Sequence, residues 1–202
     1  MYVGSNCYGL FLDVNNTLFC SLNAYHQVVS KSLSSNSNSW IVSAGVTCSG
    51  SASNALYYPH GIFVDATLNL YVADCGNNRI QKFQPTQLSG VSVAGSSASG
   101  TITLNCPTSV VLDYDMYLFI VDSNNDRIIG SGPNGFQCII GCSGSGSASN
   151  QLSVPQNLFF DSYGNLYVTD RTNNRVQKFL YNGTSCGILH RLKISSVSLK
   201  IL

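Results

Sequence analysis

An internal period of 48 residues constrains this chain more than any other feature. Pro59-His60-Gly61-Ile62-Phe63-Val64-Asp65 leads to Asn69-Leu70-Tyr71-Val72-Ala73-Asp74 and then to Asn77-Asn78-Arg79-Ile80-Gln81-Lys82-Phe83. The same order recurs from Pro107 through Asp113, Leu118–Asp122 and Arg127-Ile128. It recurs again from Pro155 through Asp161, Asn165–Asp170 and Arg175–Phe179. Asp65, Asp113 and Asp161 stand one full period apart. A degenerate copy opens the chain at Gly9–Asp13, with Cys7 in the place of the Pro, Leu22 in that of the second Asp and Gln27 in that of the Arg.

Each copy holds short β-type runs bounded by Gly, Asn or Pro, and none shows a helical apolar period. In the second copy the strands are expected at Gly61–Val64, Asn69–Ala73, Arg79–Phe83 and Gly90–Ala94. The first two are apolar on both sides of the pleat, as in a sheet covered on both faces. Repeats of about 40–50 residues with four strands each predict the blades of a β-propeller. The fold class is therefore all-β, with four-stranded antiparallel blades at about 1–45, 46–95, 96–141 and 142–189. Residues 190–202 match no repeat and are expected to be an irregular tail, with Ser185–Leu189 supplying part of the last blade's fourth strand.

The pattern Pro-x-Gly-Ile-x-x-Asp, Asn-Leu-Tyr-Val-Ala-Asp, Asn-Arg-Ile-Gln-Lys-Phe resembles the NHL repeat. Four copies cover nearly the whole chain and three are close to the pattern. The resemblance implies a ring of six blades, so the four copies read as part of a larger ring, with a small closed ring of four blades as the alternative. An open array leaves edge strands unpaired, a route to self-association.

Composition narrows the partners. The net charge is +1 and charged residues make up 9% of the chain, against about 25% in an ordinary domain. Nucleic acid and anionic membranes therefore find little to attract them. No apolar run approaches the ~20 residues of a membrane-spanning helix. Eight Cys favour an oxidising compartment, extracellular or in the secretory pathway, with the cytoplasm as the alternative. Sequons at Asn15 and Asn182 agree with secretion. Met1–Asn6 is not a signal peptide, which adds to the reading of the chain as a fragment.

In an antiparallel meander the second-to-third turns and the blade-to-blade loops share one face. Loops of this length on a rigid scaffold are where binding residues gather. Tyr25, His26, Tyr57, Tyr58, His60 and Asp126, which differ between blades, are the candidate ligand residues. The pairs Asp74/Arg79, Asp122/Arg127 and Asp170/Arg175 recur in every regular blade. They are read as structural, each carboxylate accepting turn N–H groups and pairing with its Arg. The Asn-Asn pairs beside them are read as turn formers that tolerate left-handed backbone.

Cys138 and Cys142 form a candidate disulfide. An extended stretch of that length spans about 13 Å, so Gly141 must curl the chain back. Cys20 aligns with Val72, Ile120 and Val168 and is read as a small buried hydrophobe. The Gly/Ser stretches Gly50–Ser53 and Gly141–Ser149 lack the Lys and helix of a phosphate loop and are read as surface loops. His26 and His60 fall on one face of neighbouring blades but do not make a metal site by themselves. No catalytic set, metal or cofactor is expected.

The reading is a non-enzymatic scaffold for a protein or glycan. The resemblance implies three rivals: the substrate-recognition propeller of a ubiquitin ligase, which needs a RING segment; an RNA-binding propeller, which needs a basic face; and a metal-dependent lyase or hydrolase, which uses metal-bound His from several blades.

Overall fold

In the computed structural model, which describes residues 6–36, 39–46, 48–181 and 192–200, the repeated Asp builds the first hairpin turn of each blade. Asp65 Oδ1 accepts the backbone N–H groups of Thr67 and Asn69, both at 2.9 Å. Asp13 does the same for Asn15 and Thr17, and Asp161 for Tyr163 and Asn165. A short acidic side chain can close this turn because it reaches the backbone two and four residues on. The turn also requires one residue with positive φ. Asn16, Leu68, Met116 and Gly164 take that role.

Burial pushes the Asp65 carboxyl up, but hydrogen bonds from the side chains and backbone of Asn69 and Thr67 outweigh it and hold the group below its ordinary 3.8. A depressed folded pKa means stability that is present above the unfolded value of about 3.9 and is lost as pH falls through the folded value. Asp65→Asn is therefore expected to lower the urea midpoint at pH 7. Its deficit against the parent should close as the pH is taken below about 3.9. A deficit that stays constant down to pH 2 would contradict the turn's electrostatic origin.

The turns join strands into four antiparallel sheets, each in chain order from one edge to the other. The first holds β1 (Gly9–Leu12), β2 (Thr17–Leu22), β3 (Gln27–Ser32) and β4 (Ile41–Ala44). The second holds β5 (Pro59–Val64), β6 (Leu70–Asp74), β7 (Arg79–Phe83) and β8 (Val91–Gly95). The third holds β9 (Pro107–Leu112), β10 (Leu118–Asp122), β11 (Arg127–Gly132) and β12 (Gly135–Ile140). The fourth holds β13 (Pro155–Phe160), β14 (Leu166–Asp170), β15 (Arg175–Tyr181) and β16 (Leu192–Lys200). These are the four-stranded blades that the repeat requires, and the second matches its expected strands to within two residues.

The last blade differs from the expectation at its outer strand. β16 pairs antiparallel with β15 along Arg175–Tyr181, so much of the stretch set apart as an irregular tail is the fourth strand. Apolar residues alternate there as Leu192 and Ile194, then as Val197 and Leu199. The change of phase coincides with a register shift between Phe179 and Leu180. The connection between third and fourth strands varies in length from blade to blade, 33–40, 84–90 and 133–134 in the first three, so a strict 48-residue comparison does not fix where the fourth strand of the last blade begins. The expected strand at Ser185–Leu189 and the sequon at Asn182 lie outside the described residues.

The chain divides into two compact units, Met1–Thr108 and Ser109–Leu202. In unit 1 one core gathers Val28 and Ala44 of the first blade with Ile62, Val64, Leu70, Val72 and Phe83 of the second. In unit 2 the equivalent core joins Phe119, Val121, Ile128 and Ile140 to Leu158, Leu166, Val168 and Phe179. Each core forms where one blade's apolar face meets its neighbour's, as doubly apolar strands require.

Among the described residues three disulfides join Cys7 to Cys20, Cys75 to Cys106 and Cys138 to Cys142. The Cys138–Cys142 Cα separation is 5.8 Å, and Gly141, at φ +76°, supplies the curl. Cys20 is fully buried, but it is bonded to Cys7, which corrects its reading as a plain hydrophobe. The chemistry follows from Cys7 standing in the degenerate first copy where other blades carry Pro. Among the described residues no helix is long and apolar enough to cross a membrane.

Candidate functional site

The repeated Asp-Arg pair ends the ladder between the second and third strands. Asp74 faces Arg79, Asp122 faces Arg127 and Asp170 faces Arg175 as the last cross-strand pair of each blade. Asp74 is wholly buried. It accepts Arg79 Nε at 2.8 Å, Asn77 Nδ2 at 2.7 Å and the Tyr57 N–H at 2.7 Å. Asp170 repeats the set with Arg175, Asn173 and the Ser153 N–H. The carboxylate thus ties the preceding blade-to-blade loop to the turn, a wider role than pairing within the hairpin.

Arg79 completes the tie. Its guanidinium donates to the carbonyls of Ser51, Ala52 and Ala55, and Arg175 donates to those of Ser147, Ala148 and Gln151. Five N–H donors in a fixed fork suit an arc of loop carbonyls that a Lys could not span. Each loop also sends one Leu inward. Leu56 and Leu152 are fully buried in the cores of their units, and Leu104 is 3% exposed. Burying such a side chain stabilises by about 1.5–3 kcal/mol, so these Gly/Ser loops are anchored parts of the fold and not simply surface. The signal was present in the sequence. Ser49-Gly50-Ser51-Ala52-Ser53-Asn54 recurs as Ser145-Gly146-Ser147-Ala148-Ser149-Asn150, each followed two places on by the Leu.

A further clamp involves two candidate ligand residues. His26, Asn78 and Asp126 close the second-to-third turns of the first three blades in left-handed conformation, with φ of 58°, 53° and 53°. His26 Nδ1 accepts the Tyr58 N–H at 3.1 Å, Asn78 Oδ1 that of Cys106 at 2.8 Å, and Asp126 Oδ1 that of Val154 at 2.6 Å. Tyr58, Cys106 and Val154 themselves have positive φ. Asp126 is therefore engaged by the backbone that opens the next blade, and its polar atom is not simply offered to a ligand. Left-handed backbone falls on the second Asn of Asn77-Asn78 and Asn173-Asn174, but on Asp126 after Asn124-Asn125.

The other candidates separate into two groups within unit 1. The rings of His26, Tyr57 and Tyr58 form one cluster, with centroid separations of 5.3, 4.8 and 4.6 Å. Tyr57 and Tyr58 are 38% and 43% exposed, and Tyr25 beside His26 is 59% exposed. His60 stands apart from that cluster, with its ring edge-on to Tyr8 at 5.2 Å. The second-to-third turns and the loops that follow them are the segments these contacts join.

The fold and the repeat can now be set against known proteins. The NHL repeat profile matches residues 56–83, which span β5 to β7. The chain carries an NHL repeat. No curated protein matches it in sequence. Among solved structures, this NHL-bearing chain is similar to a chain of the nidogen/laminin complex at 18% identity and a TM-score of 0.69, covering 97% of this chain and 65% of that one. It is also similar to streptogramin B lyase at 13% identity and a TM-score of 0.65, covering 98% and 55%. A gluconolactonase from Xanthomonas campestris is similar at 16% identity and a TM-score of 0.67, covering 90% and 61%. The chain therefore spans between about half and two thirds of the length of these proteins. At such identities the likeness is one of fold, shared by enzymes and by a chain from an assembly of another kind, and fold alone does not assign an activity.

Proposed function

We propose that the chain is a non-enzymatic scaffold that binds a protein or glycan through the turns and loops around Tyr57 and Tyr58, in the secretory pathway or outside the cell. The observation that carries this reading is the ring cluster of His26, Tyr57 and Tyr58, in which both tyrosines are exposed. Its residues differ from those of the other blades, so the repeat does not explain them. Their backbone is held: the Tyr57 N–H by Asp74, the Tyr57 carbonyl by the Gly76 N–H at 2.8 Å, and the Tyr58 N–H by His26. A ring surface ordered in advance loses little freedom on binding. Tyr combines an apolar face with a polar tip and suits either a sugar ring or a peptide side chain. Three disulfides agree with an oxidising compartment. The likeness to a lyase and a gluconolactonase, at 13% and 16% identity, is one of fold and does not by itself assign their activities here.

A glycan array and a displayed peptide library screened with the purified chain supply the test. Ligands so found should bind Tyr57→Ala/Tyr58→Ala at least about tenfold more weakly, the loss of roughly 1.4 kcal/mol or more that marks a central aromatic contact. Tyr114→Ala, which removes a fully exposed ring in the turn between β9 and β10, should leave affinity unchanged. Ligands that bind the double variant as tightly as the parent would refute the proposal.

A further inference from the structure

Unit 1 departs from the repeat at three places that meet in space. His60 stands where the next copies carry Thr108 and Gln156, Cys75 where they carry Ser123 and Arg171, and Cys106 where its counterparts are Tyr58 and Val154. A His nitrogen and the two sulfurs all lie within 4.8 Å of one another. The disulfide accounts for the two Cys, but it does not account for the imidazole beside them. No described residue is hydrogen-bonded to the ring nitrogens of His60, and the ring is half-buried.

We infer that reduction of the Cys75–Cys106 disulfide converts this corner of unit 1 into a binding site for a thiophilic divalent cation such as Zn²⁺, with His60, Cys75 and Cys106 as protein ligands and a solvent molecule completing the tetrahedron. Zn–S bonds of about 2.3 Å and Zn–N bonds of about 2.0 Å place tetrahedral ligand atoms about 3.5–3.8 Å apart. The observed limit of 4.8 Å needs only a small contraction to the imidazole, while the two sulfurs move apart once their bond is open. Three donors with an open fourth position match the ligand count of sites that keep an exchangeable water.

The scaffold holds these donors without the disulfide. The Cys106 N–H is bound by Asn78 Oδ1, and the Asn78 N–H by the Cys75 carbonyl at 3.0 Å. Gly76, next to Cys75, is fixed to Tyr57. The His60 carbonyl accepts the Ser21 hydroxyl, which pins β5 at the same point. Reduction consumes two electrons and two protons, delivered by a dithiol that leaves as its cyclic disulfide. Cation uptake by the two thiols then releases two protons, one from each sulfur.

Co²⁺ is a suitable probe because thiolate ligation gives it a charge-transfer absorption. The full chain, reduced with a dithiol and freed of reductant without air, should take up one Co²⁺ with that absorption, and the disulfide form should not. His60→Gln places the residue of the fourth blade there and keeps both thiols. It should weaken the Co²⁺ affinity at least tenfold, and Cys75→Ser/Cys106→Ser should remove the absorption. On the reduced parent chain, Zn²⁺ should shield Cys75 and Cys106 from alkylation while leaving the exposed Cys48 reactive, a readout that needs no variant. The inference is overturned if the reduced parent shows no thiolate absorption, if the double Ser variant keeps it, if His60→Gln binds as the parent does, or if Zn²⁺ leaves Cys75 and Cys106 as reactive as Cys48.

Discussion

Asp74→Ala is expected to destabilise unit 1 by about 3–5 kcal/mol, the cost of leaving a buried charge without its partner. Arg79 is 3% exposed and Asp74 is not exposed at all, so water cannot take the carboxylate's place. The variant also strips the Tyr57 N–H and Asn77 Nδ2 of their acceptor. The carbonyls of Ser51, Ala52 and Ala55 remain on the guanidinium, but they carry no charge to balance it. Burial pushes the Asp74 carboxyl up, against the hydrogen bonds of Asn77, Tyr57 and Arg79 and the charge of Arg79. Asp170→Ala in unit 2 should behave similarly, with Arg175 11% exposed. Asp122→Ala should cost less, because Arg127 is 25% exposed and solvent screens its charge. Trp40, the single Trp, packs against the first blade and reports unit 1 by fluorescence during urea unfolding. Circular dichroism reports the strands of both units, so a unit 2 variant shows in the part of that transition that Trp40 does not follow. A cost below about 1 kcal/mol for Asp74→Ala would show that the pair is dispensable.

Gly95→Ala is expected to cost about 2–5 kcal/mol. Gly95 ends β8 at φ +80°, where an L-residue loses about 1–2 kcal/mol. The added Cβ would also run into the Asn78 carbonyl and come within 3.0 Å of Arg79 Cα. Backbone cannot yield as a side chain does, and overpacking of this kind costs about 1–3 kcal/mol. Gly45 and Gly141 are placed the same way against the carbonyls of His26 and Asp126. Each of these glycines lets the fourth strand end against the residue that clamps the next blade. Gly100 separates the two contributions. It has φ +68° and nothing within 4 Å, so Gly100→Ala should show only the conformational cost of about 1–2 kcal/mol. Equal losses at Gly95 and Gly100 in urea unfolding would mean that the close approach is not felt.

The blades were legible because their period, their doubly apolar strands and their Asp-Arg pairs are local patterns that recur. The loops were not. Ser and Gly runs read as solvated connections, and only the packed structure shows that one Leu per loop is buried and that Arg79 or Arg175 gathers the loop carbonyls. The Cys7–Cys20 bond was obscured because Cys20 occupies a position that is apolar in every other blade. Strand β16 was missed because the spacing from third to fourth strand is not part of the period: β12 begins three residues after the end of β11, but β16 begins eleven after the end of β15. Of the candidate ligand residues, Tyr57 and Tyr58 keep exposed rings, whereas Asp126 closes a clamp and His26 does so while presenting its ring to the tyrosines. Repetition marks what the fold needs, and the departures from it mark where recognition has to be sought.

That division rests on the clamps, and residue-level amide hydrogen exchange tests them most directly. The N–H groups of Tyr57, Tyr58, Cys106, Ser153 and Val154 lie outside the strands, yet each is bound by a side chain of a second-to-third turn or the Asp before it. They should exchange as slowly as the strand amides of β6 and β14. Exchange of these five at the rate of open loop amides would contradict the account, since the loops would then be free and the rings of Tyr57 and Tyr58 would not be held in place.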